Sequence, residues 1–361
     1  MSWHADALQR LRDRMPDDVD CVLVSEITNV GWLTGFTGSA GKVLVKRDAA
    51  VFVTDSRYTL QAQEEVQGME VRSFAAPMVE RVFLNEVAHD LAIGRLAIDP
   101  AAVSYDLWQT WVHAFSGIEL VAAKPTFAGL RKVKFAGEID RIRDACALAD
   151  AAFAHVERLL QPGVRELDIA IELEFFFRRQ GAAASFNPIV VSGERSARPH
   201  GVPSEKPLES GDFVTLDFGA KLREYCSDIT RTVVIGAATE RHEQVYDAVL
   251  RAHLAAIDAI QPGMTGKAAD AVARESLRAD GFGEYFGHGL GHGLGRLVHD
   301  PGSLSTSSED VLEVGQVWTI EPGVYLPGFG GVRIEDDIVL TESGAVSLNS
   351  SPKHLMVLPS A

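Results

Sequence analysis

Five residues of this chain have the types and spacing of a metal centre: Asp217, Asp228, His292, Glu321 and Glu335. Asp217 and Asp228 flank a polar turn at 221–224, which predicts a hairpin with the two aspartates facing each other, Cβ atoms about 5 Å apart. Glu321 and Glu335 are placed in the same way around Gly328. Two like charges that close repel, so without cations one of each pair takes up a proton. Solvated strand-end acids would explain either hairpin alone. Both hairpins together, with apolar Ile320 and Ile334 beside the glutamates, imply buried carboxylates that need counter-charge.

The histidines complete the set. His288, His292 and His299 lie within twelve residues, and His200 precedes Asp217 by seventeen. Glycines at 287, 289, 291, 293 and 295 let the backbone come close to a ligand. One imidazole among several carboxylates suits manganese, cobalt, iron or zinc better than copper. Two such ions about 3.5–4 Å apart can activate water and clamp a tetrahedral intermediate. The remaining histidines would bind the substrate and steady a developing oxyanion.

The elements that must hold these residues occur twice. A helical pattern over 137–160 stops at Gln161-Pro162-Gly163, and a second helix runs through Leu167, Ile171 and Phe175. A helix over 239–260 stops at Gln261-Pro262-Gly263, and another follows through Ala268, Val272 and Leu277. Each helix pair is followed by strands, so residues 131–361 read as a duplicated α+β domain whose two halves share the ligands. Residues 1–126 read as a smaller α/β domain with a mainly parallel or mixed sheet, and the boundary is expected within 123–130. The segment 35–41 is expected to be a hairpin turn, since its glycines lack phosphate-loop spacing. Asp55 or Ser56 is expected to cap the next helix.

Bulk composition excludes several function classes. A length of 361 residues suggests two domains, and 46% hydrophobic with 23% charged residues is ordinary for a globular protein. A formal charge of -16 argues against nucleic acid and against anionic membranes. No apolar run reaches the roughly 20 residues of a membrane span, and the first residues lack a signal-peptide pattern. Cys21, Cys146 and Cys226 are widely spaced, as expected for reduced thiols of a cytoplasmic protein.

The motifs resemble the pita-bread metallopeptidases, and within them the Xaa-Pro peptidases prolidase and aminopeptidase P. Asp217-Phe218-Gly219-Ala220, Asp228-Ile229-Thr230-Arg231-Thr232, Gly291-His292-Gly293-Leu294-Gly295, Glu321-Pro322-Gly323 and Arg333-Ile334-Glu335-Asp336 match in order and spacing. The first 125 residues match a creatinase-type N-terminal domain more loosely. The resemblance implies a pita-bread catalytic domain with a creatinase-like N-terminal domain. It also implies two divalent ions, manganese before cobalt, zinc or iron. Asp217 would hold one ion, His292 and Glu321 the other, and Asp228 and Glu335 would bridge them. Glu321 would handle the proton of the attacking water. His200, His288 and His299 would line the substrate pocket, His299 stabilising the intermediate, and Arg333 matches an arginine of the site.

The implied reaction is hydrolysis of an Xaa-Pro bond. A dipeptide substrate is expected because the chain is short and lacks large insertions, with aminopeptidase P activity on longer peptides as the alternative. The implied assembly is a homodimer, and Arg47 and Arg57 are candidate cations for a substrate carboxylate. Creatinase lacks this ligand set, and methionine aminopeptidase usually lacks the N-terminal domain. A non-catalytic binding protein of the same fold is the reading from another class. Three positions depart from the family pattern: Glu224, Arg296 and Asp300. Of these, Arg296 is expected near the pocket rim.

Overall fold

The computed structural model describes residues 3–123 and 126–359. Contacts divide it into two compact units, Met1–Arg131 and Lys132–Ala361. The expected boundary stretch includes residues 124 and 125, which lie outside the described residues. Beyond them the chain forms a helix, Thr126–Lys132, where the proline and glycine had suggested only an interruption.

The first unit is a six-stranded mixed sheet. Its order is Glu70–Phe74, Ala50–Asp55, Lys42–Val45, Cys21–Val24, Arg95–Ile98 and Glu119–Ala122. The central strand Lys42–Val45 is antiparallel to both neighbours and the outer pairs are parallel. The segment 35–41 is not a hairpin turn. It follows a helix, Ile27–Thr34, which ends at Gly35 in the left-handed region (φ 80°). Six of that helix's eight residues are buried, so it has no polar face and leaves no amphipathic period in the sequence. Asp55 closes a strand and pairs with Arg57, while the helix Thr59–Glu65 starts later without a side-chain cap.

In the second unit the duplicated plan is repeated in geometry. Helices Ala136–Val156 and Glu166–Arg179 are joined through Gly163, and helices Glu240–Ala259 and Gly266–Ala279 through Gly263. Both glycines have φ 88°, a left-handed conformation that glycine adopts without penalty. Gly163 N–H donates to Leu208 O and Gly263 N–H to Leu312 O, at 2.9 and 2.7 Å. In the first helix Ile142, Ala145, Ala149, Ala152, Phe153 and Val156 recur every three or four residues and are buried. Of these, Ala149, Ala152, Phe153 and Val156 pack with Leu173, Phe177, Leu216 and Val233 in one core. The other helix pair covers a second core containing Val249, Leu277, Trp318 and Ile338. Each fully buried aliphatic side chain contributes about 1.5–3 kcal/mol.

Each core backs one sheet. The first half has the order Met356–Leu358, Ile229–Ile235, Phe213–Phe218, Ile189–Ser192. The second has Asp300–Leu304, Gly291–Gly293, Val317–Ile320, Asp336–Thr341, Gly344–Ser347. An isolated antiparallel bridge between Thr230 and Glu335 links the halves. Among the described residues no helix is long and apolar enough to cross a membrane.

Candidate active site

The first carboxylate pair differs in register from the expectation. Asp217 lies opposite Thr230, and the same register continues through Lys221↔Cys226 and Leu222↔Tyr225 to a two-residue turn. That turn is Arg223-Glu224, with φ 46° and 70°, the left-handed pair of a type I′ hairpin. It lies one residue beyond the predicted midpoint. Asp228 is therefore two positions from Asp217's partner, and the two aspartates are diagonal neighbours on one face.

The second pair keeps its register but not its ladder. Ile320 pairs with Asp336 and Gly323 with Arg333, and Glu321 and Glu335 fall in the same register between these pairs. The single hairpin expected from sequence is two ladders interrupted where the glutamates sit. The break frees Glu335 to bridge Thr230 instead.

His292 is carried by the strand Gly291–Gly293, where a Cβ at Gly291 would overlap the Thr319 carbonyl oxygen. Thr319 Oγ1 accepts the His292 backbone N–H at 3.0 Å and donates to Glu321 Oε1 at 3.3 Å. The His292 Nε2 atom lies 3.7 Å from Asp228 Oδ2 and 3.5 Å from Glu321 Oε1. All nine expected site residues line one cavity of about 390 Å³. It also exposes Phe186, Ile189, Pro199 and Val298, for which the sequence offered no signal.

The electrostatics are those of a site short of positive charge. Asp217, Asp228 and Glu335 are 8%, 5% and 2% exposed, and Arg333 is the one Lys or Arg lining the cavity among the described residues. Burial pushes Asp228 well above the usual carboxylate range, and the charges of Glu335 and Asp217 add to it. Glu335 is pushed well up by burial, then by Glu321 and Asp217. Burial raises Glu321 to about 8 and also raises Asp217, in each case against the opposing pull of Arg333. Burial pushes His292 and His288 down to about 4, so both rings are neutral near pH 7.

These donors fit divalent cations. Asp217 Oδ1 and Asp228 Oδ1 are buried without a hydrogen-bond partner among the described residues. Asp228, His292 and Glu335 each offer a ligand atom, all within 4.8 Å of one another. A buried oxygen left unpaired costs about 1–3 kcal/mol, which a bound cation would offset.

Residues 140–342 match the model of metallopeptidase family M24, and residues 8–133 match the creatinase/prolidase N-terminal domain. The chain belongs to metallopeptidase family M24. It is 44% identical to the uncharacterized peptidase YqhT of Bacillus subtilis over 353 residues, covering 97% of this chain and 99% of that one. An Xaa-Pro dipeptidase structure from Bacillus anthracis superposes with a TM-score of 0.95 at 40% identity, covering 98% and 100%. An X-Pro aminopeptidase from Thermotoga maritima gives 0.90 at 38%, covering 94% and 98%. The fold is thus the pita-bread metallopeptidase architecture with its creatinase-type N-terminal domain.

Around these carboxylates runs a polar chain that sequence reasoning missed. Arg333 pairs with Asp217, and its Nη1 donates to Tyr325 Oη at 2.9 Å. Tyr325 Oη lies 2.8 Å from His288 Nε2, whose other nitrogen lies 2.8 Å from the Gly289 carbonyl. Both ring nitrogens of His288 are therefore engaged by protein. Tyr325 follows Glu321 by four residues, and that spacing was the one available hint. Thr230 was also missed; its hydroxyl accepts from Arg333 Nε at 3.0 Å.

One expectation about the surroundings is corrected. Arg296 is not among the cavity-lining residues; it stacks over Tyr225 at 5.5 Å and pairs with Glu224 at 3.5 Å. Two of the departures from the family pattern thus answer each other. Arg47 and Arg57 are not unpaired, since they meet Asp17 and Asp55 at 3.1 and 2.8 Å.

Proposed function

We propose that this M24 metallopeptidase is an Xaa-Pro dipeptidase, which hydrolyses the bond before a C-terminal proline. The observation that carries the reading is the meeting of two carboxylate pairs, His292 and three further histidines in one small cavity. Its volume of about 390 Å³ is near the lower end of the range of roughly 300–1,000 Å³ for ligand pockets, which favours a short substrate. The likeness to an Xaa-Pro dipeptidase across nearly the whole chain points the same way.

In this reading Asp217 would help hold one divalent ion, His292 and Glu321 a second, and Asp228 and Glu335 would contribute to both. Manganese is the first choice for this mixed oxygen and nitrogen set, before cobalt, zinc or iron. When bound, the ions would acidify water at the site and polarise the scissile carbonyl. Glu321, whose Oε1 lies 3.5 Å from His292 Nε2 in the cavity, is the carboxylate assigned to take up the proton of the attacking water. The nitrogen of an Xaa-Pro bond carries no hydrogen, so it must gain one to leave as an amine, and Glu321 returns the proton there. His299 stands at the cavity edge with its ring 4.4 Å from that of His292, placed to donate to the developing oxyanion. Phe186, Ile189 and Val298 form the apolar part of the lining and exclude water from the bond being cleaved.

Aminopeptidase P activity on longer peptides is the second reading, favoured by the likeness to the Thermotoga maritima aminopeptidase. Turnover of Xaa-Pro against Xaa-Pro-Xaa, with manganese, separates them. Faster dipeptide cleavage is expected, and faster tripeptide cleavage reverses the assignment. A cytoplasmic location belongs to the same reading, in keeping with three free, buried cysteines, and so does a homodimer, which sedimentation tests.

A further inference from the structure

Among the pocket histidines His200 is the least supported by its own side chain. It is exposed, and among the described residues no hydrogen bond reaches its ring. His288 is tied at both nitrogens, and His292 through Gly293. The position of His200 must therefore be decided by the backbone that carries it, a loop from Gly193 to Ser204 that opens with a short 3-10 helix, Gly193–Ala197, and is irregular beyond it.

That loop is fastened at both ends to one carboxylate. Glu166, the first residue of the helix Glu166–Arg179, is fully buried. Its Oε1 accepts from Ser192 N and Oγ, at 2.7 and 2.9 Å, where the loop begins. Its Oε2 accepts from Ser204 N and Oγ, at 3.1 and 2.7 Å, where the loop ends. Arg195, inside the loop, donates from Nε to Glu166 Oε2 at 3.1 Å and from Nη2 to the Val202 carbonyl at 2.6 Å. One side chain thus closes the loop, and the arginine it pairs with braces the segment beside His200. On the far side Arg333 Nη1 reaches Pro199 O at 3.3 Å, and Ser196 Oγ accepts from Gly331 N at 2.8 Å. The second half fastens its own histidine loop with a helix-borne acid, Asp270, whose partner Arg274 donates to His288 O at 2.8 Å.

We infer that Glu166 is a positioning residue for His200, holding that ring at the cavity by pinning both ends of its loop to one buried carboxylate. The inference rests on the reading that His200 meets the substrate. The buried acid does not line the cavity, so its effect must pass through the loop. Loss of the anchor widens the range of ring positions and weakens the His200 contact without touching the ion ligands.

The test is a double-mutant cycle on the manganese-loaded full chain with Ala-Pro. Glu166→Gln lowers kcat/KM by roughly 10–100-fold, as outer-shell changes do, with manganese affinity by calorimetry unchanged. In a His200→Ala background the same substitution costs nothing further, because the contact it serves is already gone. An equal loss in both backgrounds overturns the inference while leaving His200's own role intact. Full activity of His200→Ala overturns both. If Glu166→Gln yields little folded protein, Ser204→Ala, which removes one side-chain anchor at the loop's end, takes its place in the same cycle. A second readout needs no turnover: the Hε1 resonance of His200, assigned by its loss in His200→Ala, shifts or broadens in the anchor variant while that of His292 stays put. An unmoved His200 resonance overturns the inference.

Discussion

Thr230 Oγ1 donates a 2.5 Å hydrogen bond to Glu335 Oε2 across 105 residues of sequence, and the two backbones form an isolated antiparallel bridge. This contact places a carboxylate of the second half beside those of the first. The same hydroxyl accepts from Arg333 Nε, so one threonine orients both a ligand candidate and the cavity's cation. Thr230→Val keeps the shape and removes both bonds. The expected result is a loss of roughly 10–100-fold in manganese affinity or in kcat/KM, read by calorimetry and by Xaa-Pro turnover. Wild-type values in both would show that Glu335 does not depend on this contact.

Substitution of the ligand candidates should be more severe. His292→Ala or Asp228→Asn removes one member of the group whose ligand atoms cluster within 4.8 Å. Turnover should fall by more than the roughly 10–100-fold typical of an outer-shell change, and bound metal per chain should fall with it. Chelation should abolish turnover of the unmodified protein and added manganese should restore it. Activity that survives thorough chelation contradicts the proposed chemistry.

Stability without metal should fall as pH rises. A carboxyl whose folded pKa lies above its unfolded value keeps a proton that the unfolded chain has already released, so stability declines between the two values. Asp228 and Glu335 are raised well above the ordinary range and Glu321 to about 8, each by burial first. Unfolded carboxyls titrate near pH ~4, and for Glu321 the decline extends to about 8. His288 and His292, pushed down from 6.5 to about 4, work the other way below 6.5, so the decline is clearest between 6.5 and about 8. Thermal melts in a chelator from acid to mildly alkaline pH should show it. Saturating manganese should remove much of the slope, since the bound ions hold these groups ionised. A metal-free Tm that rises over this window would contradict the burial of uncompensated acids.

Tyr325 offers a prediction outside the ligand set. Tyr325→Phe leaves Arg333 Nη1 and His288 Nε2 without their shared partner. Leaving a buried donor unpaired costs about 1–3 kcal/mol, so Tm should drop modestly. The kcat/KM should fall while the metal content stays at its wild-type level. Unaltered kinetics would restrict Tyr325 to packing.

Much of the site was legible in the sequence because metal ligation demands particular residue types at turns. Asp217, Asp228, His292, Glu321 and Glu335 satisfy that demand in plain view, and the repeated Gln-Pro-Gly tripeptide announced the two halves. Glu321 and Glu335 kept their register because a single symmetric turn separates them. Asp217 and Asp228 did not, because two left-handed residues, Arg223 and Glu224, moved the turn by one position. The helix Ile27–Thr34 escaped notice because burial on nearly every side erased its period.

The sequence by itself determined the chemistry: which residues could be ligands, which helices would pair, and how many halves there are. Those follow from local facts, namely side-chain type, hydrophobic period and turn residues. Tertiary structure alone decided the partnerships that cross the duplication. Thr230 with Glu335, Arg333 with Asp217, and Arg333 with the Pro199 carbonyl are set by how one half's sheet meets the other's strands. No spacing along the chain encodes them, because contacts between non-adjacent strands depend on the packing of both cores.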